Sequence, residues 1–551
     1  MKQQFKSKWS NLSLWLLVPF FMVGCDGQSS AAQNENSKPA APTEEQAAKN
    51  VAGDANPTPG GNLIIAVQDD PRVMNALYAN DRVTLTINQS LNSPLFYIEP
   101  DGSKTYVLAE SIEHSDDNLT YTVRLKEGLK WHDGKPIVAD DLVFTMNAIL
   151  DEKQKSSKRF YFVFNDKPLT VKKIDNLTVQ YTLPETSAAF EAMLSLAFPI
   201  PSHVYQNEVD IQLSEHNQKP IGSGPFKFDS YKPGEYVKLV RFDDYLLGPA
   251  YLDSVIYRIA KDPNNANIAL QNGELNMRKI DAVEYSKLNE LNQFNMVIYP
   301  EGRLNYMVFN LNTPDLQNKA IRQAIAYAIN KEDMLTVAYD SLDFALPGTS
   351  IFTPDTLYKS IPTDQYDFNI DKAKELVQNS GINAPSFKMA YVNTIPYQES
   401  QAIYLQQQLK NIGIDIKLQP LDLAAYGQMS LDPNNTAYDI SFGGYIMGQE
   451  PDAYKTLYLS DAPYNYSHYK SKELDELWKA GASTLEPAKR QEIYQKIQAH
   501  IMEEMTVYPI TYDKAIIAVD KKFGGLEEAM PKPVFLFRDL SKIYLIKDSK
   551  S

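Results

Sequence analysis

The chain contains a single cysteine, Cys25, in 551 residues, and this feature limits how the chain can be stabilised. Without a second cysteine there is no internal disulfide, so the folded state must depend on its hydrophobic core alone. A chain of more than 500 residues is too long for one core. We therefore expect two or three domains, each with a core of its own.

The segment before Cys25 has the features of a secretory signal peptide. Three lysines and no acidic residue precede an apolar run over residues 14–23, and the small residue Gly24 directly precedes the expected cleavage site. A basic start, a short apolar stretch and a small residue define such a peptide, whereas a bilayer-spanning helix needs about 20 apolar residues. We predict a lipoprotein signal peptide over residues 1–24 and lipidation of Cys25. An ordinary secreted protein is the alternative.

The residues after Cys25 predict a flexible tether. Residues 25–59 are rich in Ser, Ala, Asn, Gln, Glu and Pro and contain almost nothing large and apolar. Such a segment cannot bury enough surface to offset the entropy of ordering it. We expect a disordered tether that joins a lipid to a folded body beginning at Gly60-Gly61.

Charge and motifs limit the function classes. A net charge of −15 argues against a nucleic-acid partner, because phosphate binding requires clustered Lys and Arg. Phosphate-binding loops, dinucleotide fingerprints, zinc-protease motifs and hydrolase nucleophile motifs are all missing, and the six histidines are scattered. We predict no catalytic residue, no metal and no cofactor. An exported hydrolase stays open as an alternative, because catalytic groups can converge from distant positions.

Hydrophobic periodicity predicts a mixed α/β fold in at least two lobes. Residues 62–67 and 120–125 read as strands, and residues 139–150 place their apolar side chains on one helical face. In the second half, residues 318–335 have helical spacing, and a helix over 399–412 precedes an alternating strand over 414–418. Helices that alternate with strands are typical of layered α/β folds.

Several segments together resemble the family 5 extracellular solute-binding proteins, the oligopeptide- and dipeptide-binding components of bacterial ABC importers. They occur in family order over about residues 60–540, and residues 22–25, Met-Val-Gly-Cys, resemble the bacterial lipobox. The segments that carry the resemblance are Leu108–Ile112, Ser115–Leu125, Gly128–Pro136, Ala139–Phe144, Ile221–Phe228, Arg241–Tyr245, Ala269–Glu274, Phe309–Asn312, Ile321–Asn330 and Tyr464–Tyr469.

The resemblance implies an α/β, bilobal periplasmic-binding-protein-like fold with an extra domain and two crossover strands near residues 303–310 and 506–512. It implies lobe I from residues 60–95, 200–302 and 506–551, the extra domain from 96–199, and lobe II from 303–505. The lobes are expected to close on the ligand by hinge motion.

The resemblance also implies a ligand-binding segment that pairs with the ligand backbone. The family's Gly-Trp-x segment is matched by Gly444, Tyr445 and Ile446. Glycine allows the ligand backbone to approach closely. Tyrosine offers a flat aromatic surface with a polar hydroxyl. The weaker candidates for the cleft are Asp70, Asn75, Tyr306, Tyr391 and Tyr397.

The sequence departs from the family at the position that binds the ligand's α-ammonium. Many peptide-binding members carry an Asp where this chain has Gly448. Either Glu450 or Asp452 takes over the amine, or the ligand's amino terminus is not anchored as a charge. Core packing for Tyr445, and capping or solvation for the two acids, are the alternatives.

We therefore predict a monomeric, lipid-anchored, extracytoplasmic protein that captures oligopeptides and delivers them to an ABC transporter permease. The membrane is the inner membrane if the source is Gram-negative and the cell membrane if it is Gram-positive. The alternatives within the binding class are a nickel chelate, haem, a sugar or a signalling peptide as the ligand.

Overall fold

A computed structural model describes residues 57–547, except 165, 364 and 433. The predicted signal peptide, Cys25 and residues 26–56 of the predicted tether lie outside the described residues. No helix within the described ranges has the length and apolar character needed to cross a membrane.

The strands are numbered in chain order. They are β1 (Pro57–Thr58), β2 (Asn62–Val67), β3 (Phe96–Ile98), β4 (Lys104–Tyr106), β5 (Ala109–His114), β6 (Thr120–Leu125), β7 (Val163–Phe164), β8 (Lys167–Pro168), β9 (Thr170–Lys173), β10 (Thr178–Thr182), β11 (Phe226–Lys232), β12 (Tyr236–Arg241), β13 (Ser254–Ile259), β14 (Met277–Ile280), β15 (Phe294–Phe309), β16 (Ala345–Pro347), β17 (Ser386–Val392), β18 (Asp415–Leu421), β19 (Ile440–Ile446), β20 (Val507–Asp520), β21 (Phe523–Gly524), β22 (Pro531–Lys532), β23 (Leu536–Phe537) and β24 (Tyr544–Ile546).

The α-helices of the described residues are numbered in the same way. They are α1 (Arg82–Leu91), α2 (Ala139–Leu150), α3 (Phe190–Ser195), α4 (Ser202–Tyr205), α5 (Pro263–Gln271), α6 (Ala282–Glu290), α7 (Lys319–Tyr327), α8 (Lys331–Tyr339), α9 (Ile370–Asn379), α10 (Pro396–Lys410), α11 (Leu423–Leu431), α12 (Lys472–Ser483) and α13 (Pro487–Glu504). Short 3-10 turns connect several of them, among them Pro451–Leu457.

One mixed sheet runs through the molecule. Its strand order is β11-β12-β13-β2-β14-β20-β15-β19-β17-β18, with β16 added on β20. The half up to β14 packs into cores that contain Leu63 and Ile517 on one face and Leu270 and Ile516 on the other. We call this half lobe I. The half from β19 to β18, with its helices, is lobe II.

The antiparallel pair β15 and β20 belongs to both lobes. Phe294 packs in a core of lobe I, whereas Phe309, at the other end of β15, packs in a core of lobe II. The register of the pair shifts between Pro300 and Arg303. Gly302, within this bulge, has a φ of +65°, a left-handed conformation that favours glycine. The bulge therefore lies where the chain passes from one lobe to the other.

Lobe II has helices on both faces of its part of the sheet. Successive side chains of a strand point to opposite faces, so Met307 packs against α7, α8 and α10 while Tyr306 packs against α12 and α13. Asn and Ser side chains cap several of these helices, as Asn318 caps α7 and Ser471 caps α12. Lobe II is therefore a three-layered α/β unit.

A third core lies in the segment between β2 and β11. The antiparallel sheet β5-β6-β10-β9 packs with α2 around buried Trp131, Tyr181 and Phe190. Asp141 accepts from Trp131 Nε1 at 3.2 Å and from the Val138 amide at 3.0 Å, which ties the start of α2 to this core. We call this unit the extra domain.

The sequence predicted most of these elements and merged two of them. The strands β2 and β6 and the helix α2 have the predicted bounds. The single helix predicted over residues 318–335 is wrong, because α7 ends at Tyr327 and α8 begins at Lys331. Asn330 caps α8 and so interrupts a continuous apolar pattern.

The extra domain and lobe II touch each other across the space between the lobes. The Ala188 amide donates to the carbonyl of Ala482, at the end of α12, over 2.9 Å. Ala453 of lobe II packs against the core of the extra domain. The extra domain and lobe II are therefore in direct contact.

Candidate functional site

The carboxyl ends of the lobe II strands meet at the junction of the lobes. β17 runs parallel to β18 and to β19, so their carboxyl ends, at Val392, Leu421 and Ile446, lie on one edge. Ile446 is paired with Arg303, which directly follows the bulge between the lobes. Ligands of open α/β sheets bind outside the carboxyl ends of the strands. This edge is therefore the candidate site.

Two glycines keep the backbone of β19 bare at this edge. A Cβ at Gly443 would overlap the ring of Tyr306. A Cβ at Gly444 would lie 2.5 Å from Asn305 Oδ1 and 2.6 Å from Arg303 Nη2. Only glycine fits at these two positions, because both faces of the strand are already occupied by side chains of β15.

The side chains beside Gly444 belong to a buried polar group that we call the hinge cluster: Arg303, Asn305, Tyr339, Tyr397 and Asp513. Asn305 Nδ2 donates to Asp513 Oδ2 at 2.7 Å, and Tyr339 donates to Asp513 Oδ1 at 3.3 Å. Arg303 Nε donates to Asn305 Oδ1 at 2.8 Å but lies 3.7 Å from Asp513 Oδ2. The rings of Tyr339 and Tyr397 stack at 5.3 Å.

Asp513 is the less compensated of two buried carboxylates at the hinge. Burial raises the pKa of its carboxyl to about 6, and Arg303 only partly opposes that rise. Glu301, within the bulge, is 2.5 Å from both Arg82 and Lys279 of lobe I. Burial alone would raise the pKa of the Glu301 carboxyl, but these two cations outweigh it and lower that pKa to about 2.

Tyr445 belongs to an aromatic network on the opposite face of β19. Its ring lies 5.4 Å from that of Tyr306 and stacks at 5.8 Å on that of Tyr454, and its hydroxyl forms a hydrogen bond with Tyr458. Beside it is a cavity with about 10 Å³ for water centres, enough for about one water molecule. The residues that line it are Tyr306, Val308, Tyr445, Leu457, Tyr458, Tyr464, Tyr466, Ser467 and Val507.

The two acids predicted to receive a ligand amine have protein partners. Arg490 donates to Glu450 Oε2 at 3.0 Å and to Oε1 at 2.6 Å, and both side chains are buried. Glu450 Oε1 also accepts from the Asp452 amide and caps the following 3-10 turn. Asp452 Oδ2 pairs with Lys455 at 2.9 Å, whereas its buried Oδ1 has no hydrogen-bond partner. The ligand roles predicted for both acids stay predictions.

The other predicted candidates divide into two groups. Tyr306 and Tyr397 lie with Gly444, Tyr445 and Ile446 at the edge described above. The side chains of the remaining three have structural contacts within the protein.

Asn75 lies between β2 and α1, is buried, and donates to Asn217 Oδ1 at 3.0 Å. Tyr391 is buried in a core of lobe II. Asp70, which follows β2 in lobe I, accepts from Tyr231 and from the Gly234 amide. Asn75 and Asp70 therefore do not lie at the carboxyl edge of lobe II, whereas Tyr391, next to Val392, lies at that edge with its side chain in a core.

Sequence reasoning missed Arg303, Asn305, Tyr339 and Asp513 as site residues. Arg303, Asn305 and Asp513 interrupt the buried strands β15 and β20, in which most neighbours are apolar. Buried polar side chains must be paired, so polar residues inside an otherwise apolar strand were the available signal. In the described part of the chain, no group of three His, Cys, Asp or Glu side chains could hold a metal ion.

Comparison with known proteins identifies the family. Residues 105–468 match the middle region of the bacterial extracellular solute-binding proteins, family 5. The oligopeptide-binding protein AppA of Bacillus subtilis is 28% identical over 541 residues, which cover 93% of this chain and 95% of that protein. Its structure in complex with a nonapeptide has a TM-score of 0.74 and covers 89% of this chain and 100% of that chain.

Two other solved structures are more similar in sequence. The ABC transporter substrate binding protein CtaP of Listeria monocytogenes is 50% identical, with a TM-score of 0.87, over 89% of this chain and all of that chain. A putative peptide binding protein AppA of Clostridium difficile is 35% identical, with a TM-score of 0.82, over 88% of this chain and all of that chain. The match over most of the chain and the bilobal α/β fold agree: this chain belongs to the bacterial extracellular solute-binding proteins of family 5, the binding subunits of ABC importers.

Proposed function

We propose that this protein captures oligopeptides at the carboxyl edge of lobe II and delivers them to an ABC transporter permease. The observation that carries the proposal is the edge of β19 from Phe442 to Ile446, which lies between the hinge cluster and an aromatic wall and extends beyond the pairs with β17 at Ile440 and Ser441. A strand edge that a neighbouring strand does not cover can pair with an extended peptide through main-chain hydrogen bonds, which are independent of the peptide's side chains. The full-length similarity to an oligopeptide-binding protein supports the same ligand class.

The junction of the lobes supports capture by closure. Ligand held at the edge of lobe II would lie against lobe I, because β15 and β20 enter lobe I beside it. The hydrogen bond from the Ala188 amide to the Ala482 carbonyl would stabilise a closed form. Hinge closure around a ligand is a common response of two-lobed binders.

Native mass spectrometry of the protein as purified tests the ligand class. We expect a set of bound masses that dissociate on denaturation and fragment as peptides of several lengths. Recovery of a chelate, haem or sugar as the bound compound would contradict the proposal. Product formation from added peptides, abolished by a single substitution, would favour the hydrolase alternative instead.

We also propose that the protein acts as a monomer on the outer face of a membrane, held through a lipid on Cys25. The basis is the sequence before residue 57, where a signal-peptide pattern ends at the chain's single cysteine. A tether at this point would keep the binder close to a membrane partner at high effective concentration.

A further inference from the structure

The charge of Asp513 is less compensated than those of Glu301 and Glu450, which pair with cations at 2.5 Å and 2.6 Å. It accepts hydrogen bonds from Asn305 and from Tyr339, and the second is long at 3.3 Å. A carboxylate has about four acceptor sites. The nearest cation, Arg303 Nε, lies 3.7 Å away and donates instead to Asn305. Asp513 therefore has acceptor capacity left for one more donor.

Its position allows a ligand to reach that capacity. The Asp513 side chain keeps 12% of its surface exposed, compared with 7% for Glu301 and 5% for Glu450. Arg303 and Asn305 contact both Gly444 and Asp513. Only these side chains therefore separate the backbone of Gly444 from Asp513, so the two positions are close together.

The neighbours of Asp513 favour a cationic group over a further anion. Tyr339 and Tyr397 form a stacked pair beside it, and the face of an aromatic ring attracts a cation. A second carboxylate would lie near the charge of Asp513, whose nearest cation, Arg303 Nε, is 3.7 Å away. Burial already disfavours the ionised form of Asp513 and raises the pKa of its carboxyl, and an incoming ammonium would relieve that cost.

We propose that the Asp513 carboxylate, next to the stacked Tyr339 and Tyr397, receives a protonated amine of the bound ligand. This inference rests on the proposed peptide function, in which the amine is the peptide's free amino terminus. It assigns the amine to the hinge cluster and not to Glu450, whose carboxylate is already held by Arg490.

The test compares three forms of one probe. The probe is an equimolar pool of random-sequence nonapeptides with free termini, with an acetylated amino terminus or with an amidated carboxyl terminus, and bound peptide is measured by mass spectrometry. For the unmodified protein we expect acetylation to weaken binding about tenfold or more, since hydrogen bonds to charged groups are the strong ones. We expect amidation to have little effect.

The variant Asp513→Asn removes the charge at nearly constant shape, and Asp452→Asn is the matched control. We expect D513N to lose most of the preference for a free amino terminus and D452N to keep it. If D513N keeps the preference, or if D452N loses it, the inference is wrong. If no form of the pool binds the unmodified protein, the proposed peptide function itself fails.

The pH dependence of binding by the unmodified protein tests the inference even if D513N folds poorly. The groups that face Asp513 are Arg303, Asn305, Tyr339 and Tyr397, with Glu301 and Lys279 beyond them. None of these changes charge between pH 7 and pH 5, whereas Asp513 becomes protonated as the pH falls. We expect the preference for a free amino terminus to decline over this range. A preference that stays constant would overturn the inference.

Discussion

Arg490 donates to both carboxylate oxygens of Glu450, and the two side chains are only 4% and 5% exposed. The pair joins α13 to the loop that follows β19. Burial opposes the charge of Arg490, but Glu450 outweighs it and raises the pKa of the guanidinium. The loop beside Tyr445 is therefore held by an ion pair with a partner 40 residues away.

Replacing Glu450 by Gln is expected to destabilise the protein by about 3–5 kcal/mol, because it leaves a buried cation without its counter-charge. Urea denaturation at pH 7 measures the loss. Asp461→Asn is the control, since Asp461 and its partner Lys470 are 89% and 71% exposed. Equal unfolding midpoints for E450Q and the unmodified protein would show that the pair is not a stabilising element.

Gly443→Ala is expected to lower both stability and ligand binding, because the new methyl group overlaps the Tyr306 ring. Overpacking of a buried site costs about 1–3 kcal/mol. Gly427→Ala is the matched control: it lies within α11, with nothing within 4 Å of the added Cβ. There alanine is the better helix former by about 1 kcal/mol. Thermal unfolding of the two variants should therefore shift in opposite directions.

The elements that the sequence predicted are those specified by local pattern. The alternation of Ile414, Ile416 and Leu418 with polar residues predicts β18 because side chains of a strand alternate between faces. The helix predicted over residues 399–412 is α10, which begins three residues earlier at Pro396, a favoured first helical residue.

The relationships that the sequence did not reveal join residues far apart in the chain. Asn305 and Asp513 are 208 residues apart, and Glu450 and Arg490 are 40 apart. Hydrophobic periodicity cannot predict such pairings, because it describes each strand or helix separately and does not show which distant residue is the partner. The hydrogen-bonding need of a buried acid is visible in the sequence only as a polar residue in an apolar strand.

Stability is expected to depend on pH in opposite ways through the two hinge carboxylates. Burial raises the pKa of the Asp513 carboxyl from 3.8 to about 6, so its ionised form is disfavoured in the folded state. Its contribution to stability therefore decreases as the pH rises from about 4 to about 6. We expect D513N to gain stability relative to the unmodified protein as the pH rises from 4 to 7, measured by urea denaturation at each pH.

The contribution of Glu301 to stability depends on pH in the opposite direction. Burial opposes its charge, but Lys279 and Arg82 lower the pKa of its carboxyl from 4.5 to about 2. Its stabilising contribution is fully present above the unfolded value and is lost as the pH falls toward 2. Glu301→Gln should therefore destabilise the protein at pH 7 and progressively less below pH 4. A constant difference between E301Q and the unmodified protein over this range would contradict the assignment.

Replacing Cys25 by Ser is expected to release the protein from the membrane fraction, because the proposed anchor requires the thiol to take the lipid. Fractionation of cells that express the full chain measures the shift from pellet to soluble extracytoplasmic fraction. Ser7→Cys in the same leader is a control that should leave the distribution unchanged. Membrane retention of C25S would refute lipidation at this residue.

Ala188→Pro is expected to favour an open arrangement of the lobes. The Ala188 amide donates to the Ala482 carbonyl at 2.9 Å, and proline has no N–H to donate. Loss of one hydrogen bond, worth about 1 kcal/mol, should weaken ligand affinity roughly fivefold. Small-angle X-ray scattering of the ligand-free protein should show a larger radius of gyration for A188P, while Ala188→Ser, which keeps the amide, should match the unmodified protein. If A188P and A188S scatter alike, this contact does not hold the lobes together.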